Sequence, residues 1–152
     1  MSATETQTEI KSIEMERTLE IDAPIEIAYQ AVLDQLGIHN EAPSGDPMPM
    51  ALETKPGGRW FRDIGPDQGH LWGFVQAIKE NELVELYGPM FMSYAATNNV
   101  QYRLTQNGTG TTMTFRYSAI GLIDPDHSEN VIKGWEHYLA KMKQRAEQPK
   151  SA

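Results

Sequence analysis

Residues 99–119 contain two segments in which polar and apolar residues alternate, joined by a short turn. The turn includes Asn107–Gly108, and an Asn-Gly pair between alternating segments is the strongest short-range signal for a β-hairpin. A side-chain period of two places the apolar residues of both segments on one face of the hairpin. That face must be covered by another part of the chain. Its members are Val100, Tyr102, Leu104, Met113, Phe115 and Tyr117.

The same combination of short alternating segments and turn residues recurs along most of the chain. A first strand is predicted from Ile13 to Ile21. Further strands are predicted over residues 50–54, 59–64, 70–79, 82–88, 99–106 and 111–119. Consecutive short strands joined by tight turns are typical of an antiparallel meander and not of βαβ units.

Two segments carry a helical period instead. The first follows Asp22 and Pro24, has apolar residues at 27, 28, 31, 32 and 36, and ends at Gly37. We expect Asp22 to cap this helix and Pro24 to occupy its first turn. The second helix is predicted over about His127–Glu147, after a cap at Asp124–Pro125. Its apolar stripe consists of Val131, Trp135, Tyr138, Leu139 and Met142.

This order of elements predicts one α+β domain over residues 13–148, with flexible tails over 1–12 and 149–152. An antiparallel sheet of about seven strands needs a cover for its apolar face. The long C-terminal helix is the available cover. We therefore expect a curved sheet wrapped around this helix.

Several segments resemble the family named for the activator of Hsp90 ATPase. They are Glu14–Pro24, Pro56–Phe61, Gly73–Ile78, Asn99–Leu104, Gly110–Phe115 and the pair Gly134–Trp135. The resemblance covers residues 13–146. It implies the helix-grip fold of the superfamily that includes START lipid-transfer domains, birch-pollen allergens and polyketide cyclases, in which sheet and helix commonly enclose a cavity. Because these functions differ widely, the fold alone does not identify the function.

Aromatic and methionine side chains are the most informative candidates for a site. Buried Tyr and Trp need partners for their polar atoms, and Met adapts to irregular ligands, so both suit a pocket wall. The alternative is that these residues form ordinary core. The predicted pocket-lining residues are Phe61, Phe74, Tyr102, Phe115, Tyr117, Trp135 and Met142.

Two irregular segments border this predicted site. Residues 38–49 are long and rich in proline, which is typical of a lid or a binding loop, although a short helical turn that plugs the core stays open. The apolar stretch Gly88–Ala96 is either a pocket rim or a partner surface.

Composition argues against several classes of function. The chain has no cysteine and its four histidines lack ligand spacing, so no metal site, cofactor or catalytic residue is assigned. His137 is interpreted as a hydrogen-bonded structural histidine. The net charge of −8 disfavours nucleic acid. No apolar run approaches the roughly 20 residues of a membrane span, so we expect a cytoplasmic protein without membrane insertion.

Three functions follow from these observations. The favoured one is binding of an apolar, lipid-like or aromatic small molecule. A cyclase or hydrolase would need an inward acid or arginine, for which the candidates by position are Arg59, Arg62, Asp63, Glu85, Arg103 and Arg116. A protein-interaction or co-chaperone-like module is the third, with Hsp90 itself not expected as the partner. The sequence also leaves a homodimer open.

Overall fold

The computed structural model describes residues 4–149 and contains a seven-stranded antiparallel sheet and two helices. The elements follow in the order β1 (Lys11–Ile21), α1 (Ile25–Leu36), β2 (Ala51–Leu52), β3 (Arg59–Gly65), β4 (Gln68–Lys79), β5 (Leu83–Gly88), β6 (Ala96–Asn107), β7 (Gly110–Gly121) and α2 (Pro125–Ala146). The strands lie in the order β1-β7-β6-β5-β4-β3-β2. The α+β helix-grip architecture predicted from the sequence is confirmed.

The hairpin of β6 and β7 forms the centre of the core. Tyr102 pairs with Phe115, and the neighbouring apolar residues pair in the same register. All six residues of the predicted apolar face are buried. The turn closes between Asn107 and Gly110, with Gly108 at a positive φ of 63°, a conformation that glycine adopts readily.

The helix α2 covers the concave face of this sheet. The Asp124 side chain accepts a hydrogen bond from the Asp126 backbone N–H at 2.9 Å, so the predicted cap is confirmed. The buried residues of α2 are Val131, Trp135, Leu139, Met142 and Ala146. Tyr138, which the sequence assigns to the same stripe, is half-buried at the edge of the packed face.

The bounds of the first elements differ from the sequence-based expectation. β1 begins at Lys11, two residues earlier than predicted, and pairs with β7 from there. β2 is confined to Ala51–Leu52. Residues 4–10 are exposed and form no regular secondary structure. The remainder of the expected N-terminal tail, residues 1–3, and residues 150–152 of the expected C-terminal tail lie outside the described residues.

The prediction that Asp22 caps α1 is wrong. The backbone carbonyl of Pro24 accepts from the N–H groups of Ile27 and Ala28, so Pro24 is itself the cap and α1 begins at Ile25. Asp22 lies two residues before the N-cap position, which Pro24 occupies. Its backbone N–H instead donates to the Glu147 carboxylate at 2.7 Å, which ties the end of β1 to the end of α2.

Register shifts bend the sheet on the side of β3 and β4. They occur between Trp60 and Phe61, between Asp63 and Gly65, and between Val75 and Ala77. A bulge of this kind bends a strand and increases its twist. The consequence is that Trp60 and Trp72 are buried against each other, with ring centroids 5.1 Å apart.

Candidate ligand cavity

A cavity of 330 Å³ lies between the N-terminal half of α2 and two irregular segments of the chain. Six residues of α2 form one wall, at positions that recur every three or four residues. This spacing places them on one helix face. They are His127, Asn130, Val131, Gly134, Trp135 and Tyr138.

The opposite wall comes from the sheet and the two irregular segments. Trp72 of β4 and Phe91 contact edge-to-face, with centroids 5.8 Å apart. Pro43 and Met48 of the 38–49 loop complete the wall. Phe91 also lies 5.9 Å from the His127 ring. The cavity is therefore surrounded mostly by aromatic and aliphatic groups.

Phe91 is positioned by a turn in an uncommon conformation. Met90 has φ of 54°, which is unfavourable for a residue with a side chain, and its own side chain is fully buried. The Met90 N–H donates to the Trp72 carbonyl at 2.7 Å. Burial of Met90 therefore fixes the turn that brings Phe91 to the cavity.

A buried amide holds the same segment to the sheet. Asn98 is 2% exposed, and its Nδ2 donates to the carbonyls of Gly88 and Pro89, both at 3.1 Å. Its Oδ1 accepts a hydrogen bond from the Tyr117 hydroxyl. A buried polar network that is satisfied in this way specifies a single arrangement of its members.

The 38–49 loop is fixed to α2 at Glu41. The Glu41 carboxylate lies 2.7 Å from His137 Nε2, and the Tyr138 hydroxyl donates to the Glu41 carbonyl at 3.0 Å. Residues 38–49 contain no helix, but two single turns are closed by hydrogen bonds from the Asn40 N–H to the Gly37 carbonyl and from the Gly45 N–H to the Ala42 carbonyl. The loop borders the cavity, as the interpretation of a binding loop requires. The structural role of His137 is confirmed by this contact.

The other side of the cavity is closed by a second contact to α2. The Tyr94 hydroxyl lies 2.7 Å from His127 Nδ1. Burial, with a smaller contribution from the charge of Asp124, raises the pKa of Tyr94 above its ordinary value. Within the 88–96 segment, Phe91 lines the cavity, as expected for a pocket rim, and Tyr94 joins the segment to α2.

The seven predicted pocket residues fall into three groups. Trp135 lines the cavity. Four others lie in the solid core behind or below it, where Trp135 is 5.5 Å from Phe115 and 5.1 Å from Tyr117 between ring centroids. Those four are Tyr102, Phe115, Tyr117 and Met142, each at most 2% exposed.

Phe61 and Phe74 do not join the other five. Phe74 pairs across the strands with Arg59 and with Tyr87, which are both exposed, and so lies on the outer face of the sheet. The Arg59 guanidinium lies 4.8 Å from the centre of the Phe61 ring on the same face. Both residues were expected in the pocket as large apolar side chains, and the register shifts in β3 and β4 accompany their outward placement.

Burial dominates the electrostatics behind the cavity. It raises the pKa values of Tyr102 and Tyr117 far above the ordinary range, so both phenols stay neutral. The Trp135 Nε1–H lies beside the Tyr117 hydroxyl but completes no hydrogen bond with any described residue. One buried donor at the cavity wall is therefore unsatisfied.

Residues 22–147 match the family model described as Activator of Hsp90 ATPase homolog 1-like protein. The chain belongs to this family. The match spans both helices and nearly the whole sheet, so it includes every residue of the cavity wall. The family resemblance stated from the sequence is thereby confirmed. No curated protein matches the sequence.

Solved structures show the same fold at low identity. An uncharacterised protein from Rhizobium leguminosarum aligns with a TM-score of 0.73 at 15% identity, over 95% of this chain and 100% of that one. A protein from Chromobacterium violaceum aligns with a TM-score of 0.69 at 18% identity, over 91% and 98%. The di-domain ARO/CYC protein StfQ of the steffimycin biosynthetic pathway aligns with a TM-score of 0.63 at 10% identity, over 90% and 49%.

The charged candidates for catalysis lie away from the cavity. Five of the six are exposed, and the sixth, Glu85, accepts hydrogen bonds from Asn99 and Gln101 on the outer face of the sheet. Within residues 4–149, neither a carboxylate nor an arginine lines the cavity, whose titratable wall residues are His127 and Tyr138. The same part of the chain holds no group of three or more side chains suited to a metal ion, and no helix with the length and apolar character of a membrane span.

Larger hollows exist outside the sheet, but they differ in character. The largest, 710 Å³, follows the β3–β4 hairpin and is wide open to solvent, with Asp63, Asp67 and Gln68 in its wall. A second, of 540 Å³, lies over the charged outer face near Glu16 and Arg116. The smaller cavity at α2 is less open to solvent and its walls are mostly apolar, which are the features of small-molecule sites.

Proposed function

We propose that the protein binds an apolar small molecule in the cavity at α2. The observation that carries this proposal is the composition of the wall, in which Trp72, Phe91 and Trp135 surround a space of 330 Å³. Sites for small molecules have volumes of about 300–1,000 Å³ and apolar walls with a few polar groups. His127 and Tyr138 supply such polar groups here.

The comparisons support this proposal at the level of the fold. StfQ, an ARO/CYC protein of a biosynthetic pathway, shares the arrangement of sheet and C-terminal helix. A chain with the same arrangement and an apolar cavity is suited to an organic ligand. Binding requires no inward acid or arginine, and neither lines the cavity in the described part of the chain. Binding is therefore the function that these residues support best.

The test is direct binding of N-phenyl-1-naphthylamine, a neutral probe that fluoresces in apolar surroundings. We expect saturable fluorescence with one probe per chain, and the same stoichiometry by native mass spectrometry. At a free concentration of about 100 times Kd, a ligand stabilises the fold by about 2.7 kcal/mol, which corresponds to a rise in Tm of about 5–10 °C. Fatty acids, sterols and aromatic polyketides are then ranked by displacement of the probe.

Two results would count against the proposal. The first is absence of saturable binding, of a bound mass and of a thermal shift across the whole panel. The second is binding at several weak sites, since the proposal assigns the ligand to one cavity. Either result would favour the protein-interaction module, and the 88–96 segment would then be the surface to test for partner binding.

A further inference from the structure

Gly134 lies in the interior of α2, where glycine is the least favourable residue apart from proline. Glycine is usually retained in an element because φ is positive or because another group approaches closely. Gly134 is not among the glycines with positive φ. Apart from its chain neighbours and the adjacent backbone of α2, a Cβ built on Gly134 would meet no atom of the described residues within 4 Å. Neither ordinary reason explains this glycine.

The space beside Gly134 is the cavity itself. Gly134 lies on the cavity wall between Val131 and Tyr138, which are about two helical turns apart on the same helix face. A side chain at this position would extend into the open volume, because no protein atom occupies the place of its Cβ. The missing side chain therefore leaves the helix backbone bare at the cavity wall.

We infer that Gly134 is a specificity-determining residue, which gives a planar, neutral compound of two or three rings room to lie against the backbone of α2. The inference rests on the proposed binding function and names the ligand class for the same cavity. A flat ring system can approach a bare helix backbone more closely than a helix that carries side chains. Any residue larger than glycine would hold such a ring away from the wall.

The other walls favour rings over chains. Trp72, Phe91 and Trp135 present aromatic groups, and aromatic pairs gain from offset or edge-to-face contact beyond the area that they bury. The volume of 330 Å³ is at the lower end of the range for ligand sites, too small for a diacyl lipid. The absence of lysine and arginine from the described wall, together with the net charge of −8, disfavours an anionic ligand.

The experiment compares three variants with the wild-type chain. Gly134→Ala adds one methyl group, and Gly134→Leu fills more of the cavity. Ala140→Leu is the matched control, because Ala140 is exposed on the same helix and away from the cavity. We expect Gly134→Ala to raise Tm by about 2–4 °C through its higher helix propensity while it weakens the binding of N-phenyl-1-naphthylamine. Gly134→Leu should weaken this binding by about tenfold or more, and Ala140→Leu should leave it unchanged.

A second measurement tests the ligand class. 1-Naphthol and 1-decanol are neutral alcohols with the same number of carbon atoms, one flat and one flexible. We expect 1-naphthol to displace the probe from the wild-type protein at lower concentration, and Gly134→Leu to reduce this preference. If 1-decanol competes equally well, or if both alcohols lose affinity equally in the variant, the assignment to planar rings is overturned.

Different results would overturn the proposed binding function and the role of Gly134. A wild-type protein that binds no probe overturns the proposed function and the inference together. A wild-type protein that binds, beside a folded Gly134→Leu variant that binds equally well, overturns the role of Gly134 and leaves the proposed function in place. The thermal unfolding curve of each variant shows whether it is folded, so loss of binding is not confused with loss of structure.

Discussion

His137 Nε2 lies 2.7 Å from Glu41 Oε1, and this contact joins α2 to the loop that borders the cavity. The side chains are 33% and 17% exposed, so the pair is partly shielded from solvent. Tyr138, the next residue of the helix, donates to the Glu41 carbonyl. Two consecutive residues of α2 therefore hold the side chain and the backbone of one loop residue.

Glu41→Ala should loosen this loop. A partly buried hydrogen bond to a charged group contributes about 1.5–3 kcal/mol, and we expect a loss of about 1–2 kcal/mol in the free energy of unfolding, measured by urea denaturation. Amide exchange should become faster within residues 40–48, where the Met48 N–H donates to the Asn40 carbonyl. The naphthylamine probe should dissociate faster.

Glu136→Ala is the control for this change. Glu136 forms a 3.4 Å pair with Arg17, and both side chains are about half exposed, at 53% and 43%. An exposed pair of this kind contributes about 0–1 kcal/mol. Equal effects of the two substitutions would mean that the Glu41 contact is an ordinary surface pair.

Asn98→Ala should destabilise the protein more strongly, by about 2–5 kcal/mol. The substitution removes the acceptor of the Tyr117 hydroxyl and the donor for the Gly88 and Pro89 carbonyls. Each buried polar group that loses its partner costs about 1–3 kcal/mol. The neighbouring Asn99 donates to the Glu85 carboxylate on the outer face, where Glu85 keeps a second donor in Gln101, so Asn99→Ala should cost only about 0.5–1.5 kcal/mol. Similar urea midpoints for the two variants would contradict this account of the network.

Periodicity is the reason that the sheet and α2 could be predicted. The alternation in β6 and β7 requires one buried face, and the burial of Tyr102 and Phe115 follows from it. The cap at Asp124 was recognisable because Pro125 follows it directly. The cap of α1 was misplaced because Asp22 and Pro24 are both common before a helix. Only the hydrogen bonds of Pro24 distinguish them.

The cavity was less predictable because its walls come from segments without a period. Pro43 and Phe91 belong to irregular loops, and their contact with α2 depends on tertiary packing. Phe61 and Phe74 were expected in the pocket because they are large and apolar. A bulge reverses the face to which a residue points, and the signal for this one, Gly73 inside β4 opposite Trp60, does not by itself fix which residues change face. The only indication in the sequence that Gly134 lines a cavity is that glycine is unfavourable inside a strong helical pattern.

Phe91→Ala and Phe74→Ala test which face of the sheet holds the ligand. Phe91 lines the cavity, and its removal should weaken binding of N-phenyl-1-naphthylamine by about tenfold, through lost area and lost aromatic contact. Phe74 lies 5.7 Å from Tyr87 on the outer face, and its removal should change the dissociation constant by less than about twofold. The reverse order of effects would place the probe on the outer face.

Tyr138 should make the stability of the protein depend on alkaline pH. Burial, followed by the negative charge of Glu41, raises the pKa of Tyr138 from 10.0 to about 12. The unfolded chain therefore loses this proton near pH 10, while the folded chain retains it to about pH 12. The folded state binds more protons in this window. Tyr138 therefore adds on the order of 2–3 kcal/mol to the free energy of unfolding. This stabilisation is fully present below pH 10 and is lost as the pH rises to 12.

Tyr138→Phe isolates this contribution, because Tyr102 and Tyr117, whose pKa values are also raised by burial, are present in both proteins. At pH 9 the variant should be less stable by about 1 kcal/mol, through loss of the hydrogen bond to the Glu41 carbonyl. Above pH 10 the wild-type protein loses the stability that Tyr138 contributes, and the variant has no such contribution to lose. The difference between the free energies of unfolding of the two proteins should therefore shrink and then change sign. Urea denaturation at intervals between pH 9 and pH 11.5 measures it. A difference that stays constant over this range would show that the Tyr138 phenol titrates alike in the folded and unfolded chains.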